Sequence, residues 1–145
     1  MIDRMNEIAQ PIRNENIEEY QKLRYPNIPD GEPVMFTDSD FSDVNFSEFA
    51  AGFFQFNNCN LDDASGLYGQ PITIESCSAR QIDMRGVRAI IYAQDSDFTG
   101  MLIDEDTALA YDGGEFGASS TFTNCTMDSD TTDKLVAQGV CLQLS

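Results

Sequence analysis

A period of five residues constrains this chain more than any other feature. Every fifth residue from Phe36 reads Phe36, Phe41, Phe46, Ala51, Phe56, Leu61 and Gly66. The residues two before them read Val34, Ser39, Val44, Phe49, Phe54, Cys59 and Ala64. Each block is a small or apolar residue, a polar one, a large apolar one and two polar ones, most clearly over 39–43, 44–48 and 59–63. A strand alternates every two residues and a helix every ~3.6, and neither period fits such a run. Inward residues at two of every five positions demand a corner after each block. Four corners close a coil, which stacks on the next at the strand spacing of ~4.8 Å.

The phase slips and resumes. Ile72, Cys77, Ile82, Val87 and Tyr92 are five apart, followed two residues later by Ile74, Ala79, Met84, Ala89 and Gln94, so Tyr92 and Gln94 are expected to point inward. The clearest form returns at 96–100, and blocks recur at 120–124 and 125–129. Slips near 67–71, 93–96 and 104–114 read as loops bulging from corners.

The blocks resemble the pentapeptide repeat family, whose members carry A-(D/N)-L-x-x units. The resemblance covers residues 34–130 and implies an all-β solenoid, a right-handed quadrilateral β-helix. This chain departs from the pattern by using Phe where Leu is usual and by weaker blocks over 66–95. The expected organisation is an N-terminal helical cap and linker over 1–33, the pentapeptide-repeat β-helix over 34–130, and a C-terminal cap or dimer contact over 131–145. Within the first segment, residues 2–9 and 16–23 carry apolar residues at helical spacing, separated by Pro11. Asn14 or Asn16 is placed to cap the second helix, and Glu18 and Lys22 lie one turn apart. A polar cap over the open hydrophobic end is what a solenoid needs.

Charge narrows the function. The 145 residues hold 25 acids against 8 bases and no histidine, a net charge of −17. Such a field repels phosphate backbones, which argues against direct nucleic-acid binding, and it attracts basic protein surfaces. The plainer reading is that acidic surfaces keep proteins soluble. A hydrophobic content of 41% supports a folded chain, no run reaches the length of a membrane span, and residues 1–30 lack a signal-peptide core. A cytoplasmic protein with no membrane contact is therefore expected. Cys59, Cys77, Cys125 and Cys141 show no C-x-x-C spacing and are expected as reduced, buried thiols.

Catalysis finds little support. Without histidine, no Ser/His/Asp or Cys/His arrangement exists. The acid runs Asp62-Asp63 and Asp104-Glu105-Asp106 sit at outward positions, where a pKa is hard to perturb. A calcium-loop-like string, Asp95, Asp97, Thr99, Gly100, Leu102 and Asp106, ends in Asp rather than Glu, and the repeat already accounts for Asp97. No metal, no cofactor and no enzymatic activity are expected. Arg80, Arg85 and Arg88 are expected to pair with acids of neighbouring coils.

Residues 34–145 carry 18 acids and 4 bases, so 14 net negative charges. About five coils at ~4.8 Å make a rod of roughly 24 Å, and duplex DNA of that length carries roughly 14 charges. The family resemblance points the same way, because several acidic members are DNA mimics. The expected partner is a basic DNA-binding protein or nucleoprotein complex, met through Asp38, Asp40, Asp43, Asp62, Asp63, Asp83, Asp97, Asp104, Glu105 and Asp106. A phage-type inhibitor of a host defence complex, anti-CRISPR or anti-restriction, is one such role. A gyrase- or topoisomerase-binding protein of the quinolone-resistance type is another, and a generic interaction scaffold is the rival class. Charge topology separates them: a mimic clusters those acids on one or two faces, whereas a scaffold scatters them.

Overall fold

The computed structural model describes residues 9–27, 34–47, 49, 54–67, 69–109 and 120–144. Six short strands build it: β1 (Val34–Thr37), β2 (Phe54–Asn57), β3 (Gly69–Glu75), β4 (Ala89–Gln94), β5 (Thr121–Cys125) and β6 (Cys141–Leu144). They lie in one sheet in chain order, and every neighbouring pair is parallel. Parallel neighbours cannot be joined by a hairpin, so the chain must travel around before each new strand. It does so in short steps. In-register residues fall 20 apart from Phe36 to Phe56, 18 from Phe56 to Ile74, 19 from Ile74 to Ala93, 29 from Ala93 to Phe122 and 20 from Phe122 to Leu142. The product is a β-solenoid of about five turns.

Three further rows of parallel bridges bind one turn to the next. They run Asp40–Asn60–Ser78–Asp97–Thr126, Asn45–Ser65–Asp83–Leu102 and Arg88–Ala108. Between rows the backbone turns through left-handed corners. Asp38, Asn58, Ser76, Asp95 and Asn124 form one stack with φ of 54–55°, and Asp43, Asp63, Gln81 and Gly100 form a second with φ of 58–76°. At the second stack Val44, Ala64, Ile82 and Met101 each donate an N–H to the carbonyl three residues earlier. A left-handed third residue in such a turn marks type II geometry.

Inside, the large residues of the blocks meet as expected. Phe36, Phe41, Phe46 and Phe56 pack edge-on and stacked at centroid distances of 5.0–5.7 Å, spacings that favour aromatic pairs. Aliphatic residues continue the core through Ile72, Ile74, Ile82 and Met84, and Phe98 meets Phe122 at 5.1 Å. Cys59, Cys77 and Cys125 are free and buried, in a column completed by Ser39 and Ser96. Their thiols donate to carbonyls two residues back, as the serine hydroxyls do.

The sequence frame needs correction at three places. Ile91 and Ala93 point inward, while Tyr92 and Gln94 are exposed. The frame drops one residue across the consecutive buried run Ala89, Ile90 and Ile91, so 93–96 is a strand end and a corner rather than a loop. Residues 69–71 belong to β3, with a register shift between Gly69 and Ile72. Just before them Gly66 takes φ 76°, and an added Cβ would approach the Ser47 nitrogen to 2.6 Å, so a side chain fits neither its space nor its backbone. Residues 104–109 form a hydrogen-bonded turn that returns to pair at Ala108; the remainder of 104–114 lies outside the described residues, as does most of the helix expected over 2–9.

The flanks close the rod differently. Residues 9–13 are helical with Pro11 inside the turn, and the break falls at Asn14–Glu15, where Glu15 has φ 54°. Helix α1 (Ile17–Asn27) follows, with the Glu19 N–H on the Asn16 side-chain oxygen at 3.2 Å and Lys22 facing Glu18. Arg13 donates to the Ser42 carbonyl, and Glu15 accepts from the Asn45 N–H at 3.4 Å. These side chains bond backbone groups of the first turn that in inner turns belong to a preceding coil, as at Asp62 and Ser65. At the far end helix α2 (Ser129–Ala137) buries Leu135. The Gln138 amide accepts from the Leu109 N–H at 3.1 Å and donates to the Thr107 carbonyl at 2.7 Å. The tail then adds β6 to the sheet, so residues 141–144 extend the solenoid. No helix among the described residues is long and apolar enough to cross a membrane.

Candidate functional site: the acidic sides

The ten acids named from the sequence fall on two consecutive sides of the solenoid. Asp38, Asp40, Asp43, Asp62, Asp63 and Asp97 occupy the stretch that runs from the first left-handed corner through the Asp40 row to the second corner. Asp83, Asp104, Glu105 and Asp106 occupy the next stretch, along and just beyond the Asn45 row in the third and fourth turns. The strand side is different. Its outward residues include Met35, Gln55, Thr73, Tyr92 and Thr121, and the described ones carry a single charge, at Glu75.

Six of the ten have structural duties that the sequence reading did not assign, Asp38 among them through the cross-turn bond from the Asn58 amide. Asp40, Asp83, Asp97 and Asp104 each accept the N–H two residues on, at 2.9–3.0 Å. This Asx turn lets the polar residue of a block fix the bend that follows it. Asp104 also accepts the Gly86 N–H of the preceding turn at 3.0 Å. Asp62 bridges turns, accepting from Ser78 Oγ at 2.6 Å and from the Arg80 N–H at 2.8 Å.

The bonds set the electrostatics. Asp40 is held below the usual carboxylate range by the Ser42 N–H, and Asp97 chiefly by the Thr99 hydroxyl. The Arg85 guanidinium does the same for Asp83, and the Gly86 N–H for Asp104. Each donor favours the ionised form, so these groups stay charged well into acid. Beside Cys59, the buried Cys77 thiol is pushed far up, as burial pushes Cys125, so neither is a ready nucleophile.

Bases neutralise part of the array. Arg85 grips Asp83 through two nitrogens at 2.9 and 3.0 Å, Arg80 reaches Asp97 at 3.8 Å, and Arg13 stands 4.0 Å from Asp40. Arg88 makes no ion pair among the described residues. Asp43, Asp63, Glu105 and Asp106 are exposed, and their carboxylates have no partner among the described residues. Asp38 accepts from the Asn58 amide at 2.6 Å. Asp43, Asp63, Glu105 and Asp106 are therefore the carboxylates most open to a partner.

Two acids were missed as part of the surface. Asp95 stacks in the Asp38 corner and accepts from the Asn124 amide at 2.6 Å. Asp128, at the N-cap of α2, accepts the Gly100 N–H at 2.9 Å instead of capping its own helix. The calcium-like string is pulled apart, with Asp95 at one corner, Asp97 in an Asx turn and Asp106 in the turn after Asp104. No group of three or more metal-ligating side chains gathers among the described residues. No protein-family model matches the chain, and no curated protein shows significant similarity to it.

Proposed function

We propose that the chain is a right-handed, four-sided helix of pentapeptide repeats acting as a non-enzymatic DNA mimic. Its acidic sides occupy the DNA-binding groove of a basic protein or nucleoprotein complex in the cytoplasm and inhibit it. Within that reading the target is a host defence complex, and the protein is a phage-type inhibitor of the anti-CRISPR or anti-restriction kind. No cofactor and no catalytic group enter the reading.

The supporting observation is the sorting of charge. Ten acids share two consecutive sides while the strand side is almost uncharged. Turns of a solenoid repeat at ~4.8 Å along the axis, and phosphates on one DNA strand advance ~3.4 Å per base pair. A side bearing one or two carboxylates per turn therefore approaches a duplex backbone in charge density. Asx bonding adds stiffness: Asp40 and Asp97 are held by the turns they form, so less side-chain entropy is lost on binding.

The test is a pull-down from bacterial lysate with this protein as bait, at low salt and again at about 0.5 M, where screening is within a few ångströms. Enrichment of one DNA-binding complex at low salt, displaced by added duplex DNA, is the expected result. A partner indifferent to both salt and DNA points to an interaction scaffold and sinks the mimic.

A further inference from the structure

Among the described sides, the strand side stands out for what it lacks. Its central outward column reads Met35, Gln55, Thr73, Tyr92 and Thr121. Met35 is 48% exposed and Tyr92 44%, two of the five large hydrophobic side chains left open to water among the described residues. The adjacent outward column is uncharged except for Glu75. In a chain of net charge −17, a flat neutral side with two apolar anchors needs an explanation.

From this we infer that the strand side is the surface on which two copies of this chain associate, strand side to strand side. The occupant follows from charge. A basic partner is drawn to the sides bearing Asp43, Asp63 and Asp104–Asp106, whereas a second copy is repelled there and meets no such barrier at the strands. A two-fold axis along the stack sets each turn against its own copy with the outward columns exchanged. Glu75 then faces Thr73 of the second copy, a hydroxyl donor, and no acid on this side meets its own image. Six strands at ~4.8 Å by four residues at ~3.3 Å give a footprint of roughly 380 Å² per copy. That is about half of the ~800 Å² typical of a stable partner. The dimer is therefore weak, reversible and favoured by salt, which screens the acids at its rim. This inference is independent of the mimic reading.

Sedimentation velocity from micromolar to millimolar protein, at low salt and at about 0.5 M, tests it. A reversible dimer that tightens with salt is expected, lost in the double variant Thr73→Glu/Tyr92→Glu and kept in Leu144→Asp on β6. Tyr92→Thr matches its row neighbours Thr73 and Thr121, preserves the strand, and is expected to weaken the dimer several-fold. A monomer at every concentration and salt overturns the proposal. So does a dimer that survives Tyr92→Thr and the double variant, or one abolished by Leu144→Asp, which would place the contact at the β6 edge.

Discussion

The two left-handed corners of this solenoid solve the same backbone problem with different side chains. At the first, aspartate alternates with amide or hydroxyl: Asp38, Asn58, Ser76, Asp95 and Asn124. Asn58 and Asn124 reach across a turn to Asp38 and Asp95, each at 2.6 Å. At the second, Asp43 and Asp63 occupy the same corner on successive turns, linked by the Asp43 N–H on the Asp62 carbonyl, and no amide among the described residues donates to either carboxylate. Both residue types tolerate positive φ, so geometry does not choose between them. Stability favours the first arrangement, because each amide removes a like-charge contact and adds a bond. The second keeps both charges and forgoes that bond.

The comparison breaks hardest if the first corner is rebuilt as the second. Asn58→Asp removes the donor to Asp38 and stacks two carboxylates one turn apart. The loss is expected to be about 1–2 kcal/mol at low ionic strength, combining a lost hydrogen bond with like-charge repulsion. Urea midpoints at two salt concentrations check it. The repulsive part recedes as salt rises and the hydrogen-bond part remains; a loss unchanged by salt would mean that charge does not govern this corner.

Between the corners lies the Asx row, where charge and structure coincide. Asp97 accepts both the N–H and the hydroxyl of Thr99. Asp97→Ala is expected to cost about 1 kcal/mol, in the range of a lost helix cap, and Asp97→Asn much less because the amide oxygen still accepts. The pH dependence follows from the same bonds. Asp40, Asp83, Asp97 and Asp104 have folded pKa values below their unfolded ones. Their contribution is fully present above about pH 4 and is lost as pH falls through the folded values. Acid unfolding should start below about pH 4, and Asp97→Asn should reduce proton uptake on unfolding by up to about one.

The fold was legible where the period was clean. Phe36, Phe41, Phe46, Phe56 and Leu61 are buried at the spacing read from the sequence. The reading failed at Tyr92 because Ala89, Ile90 and Ile91 are all apolar, and three adjacent apolar residues conceal a one-residue slip. The acids could be placed outward from the block pattern, but not divided into bonded and free sets. That division depends on which turn stacks on which: Asp62 meets Ser78 and Asp104 meets Gly86 only because the coils are 18–19 residues long there. The Asx turns had a local signal, an acid two residues before an outward polar residue at each bend, as in Asp40 and Ser42 or Asp97 and Thr99. The neutral strand side needed the corner positions before its residues could be grouped.

The smallest expected effect is the most discriminating, because it carries opposite signs in two assays. Asp63→Asn makes the second corner resemble the first while keeping a residue that tolerates φ 60°. It removes repulsion between neighbouring carboxylates and introduces an amide able to donate to Asp43. Stability is expected to rise by a few tenths of a kcal/mol at low salt, the scale of exposed charge pairs. Affinity for a basic target is expected to fall, with a shallower salt dependence, because one contributing charge is gone. Thermal melting and a salt-titrated binding assay on one protein sample read both. A variant that gains stability and loses binding separates the carboxylate's function from its place in the fold. One that loses both would make Asp63 a structural residue, and the second corner would then be no different in kind from the first.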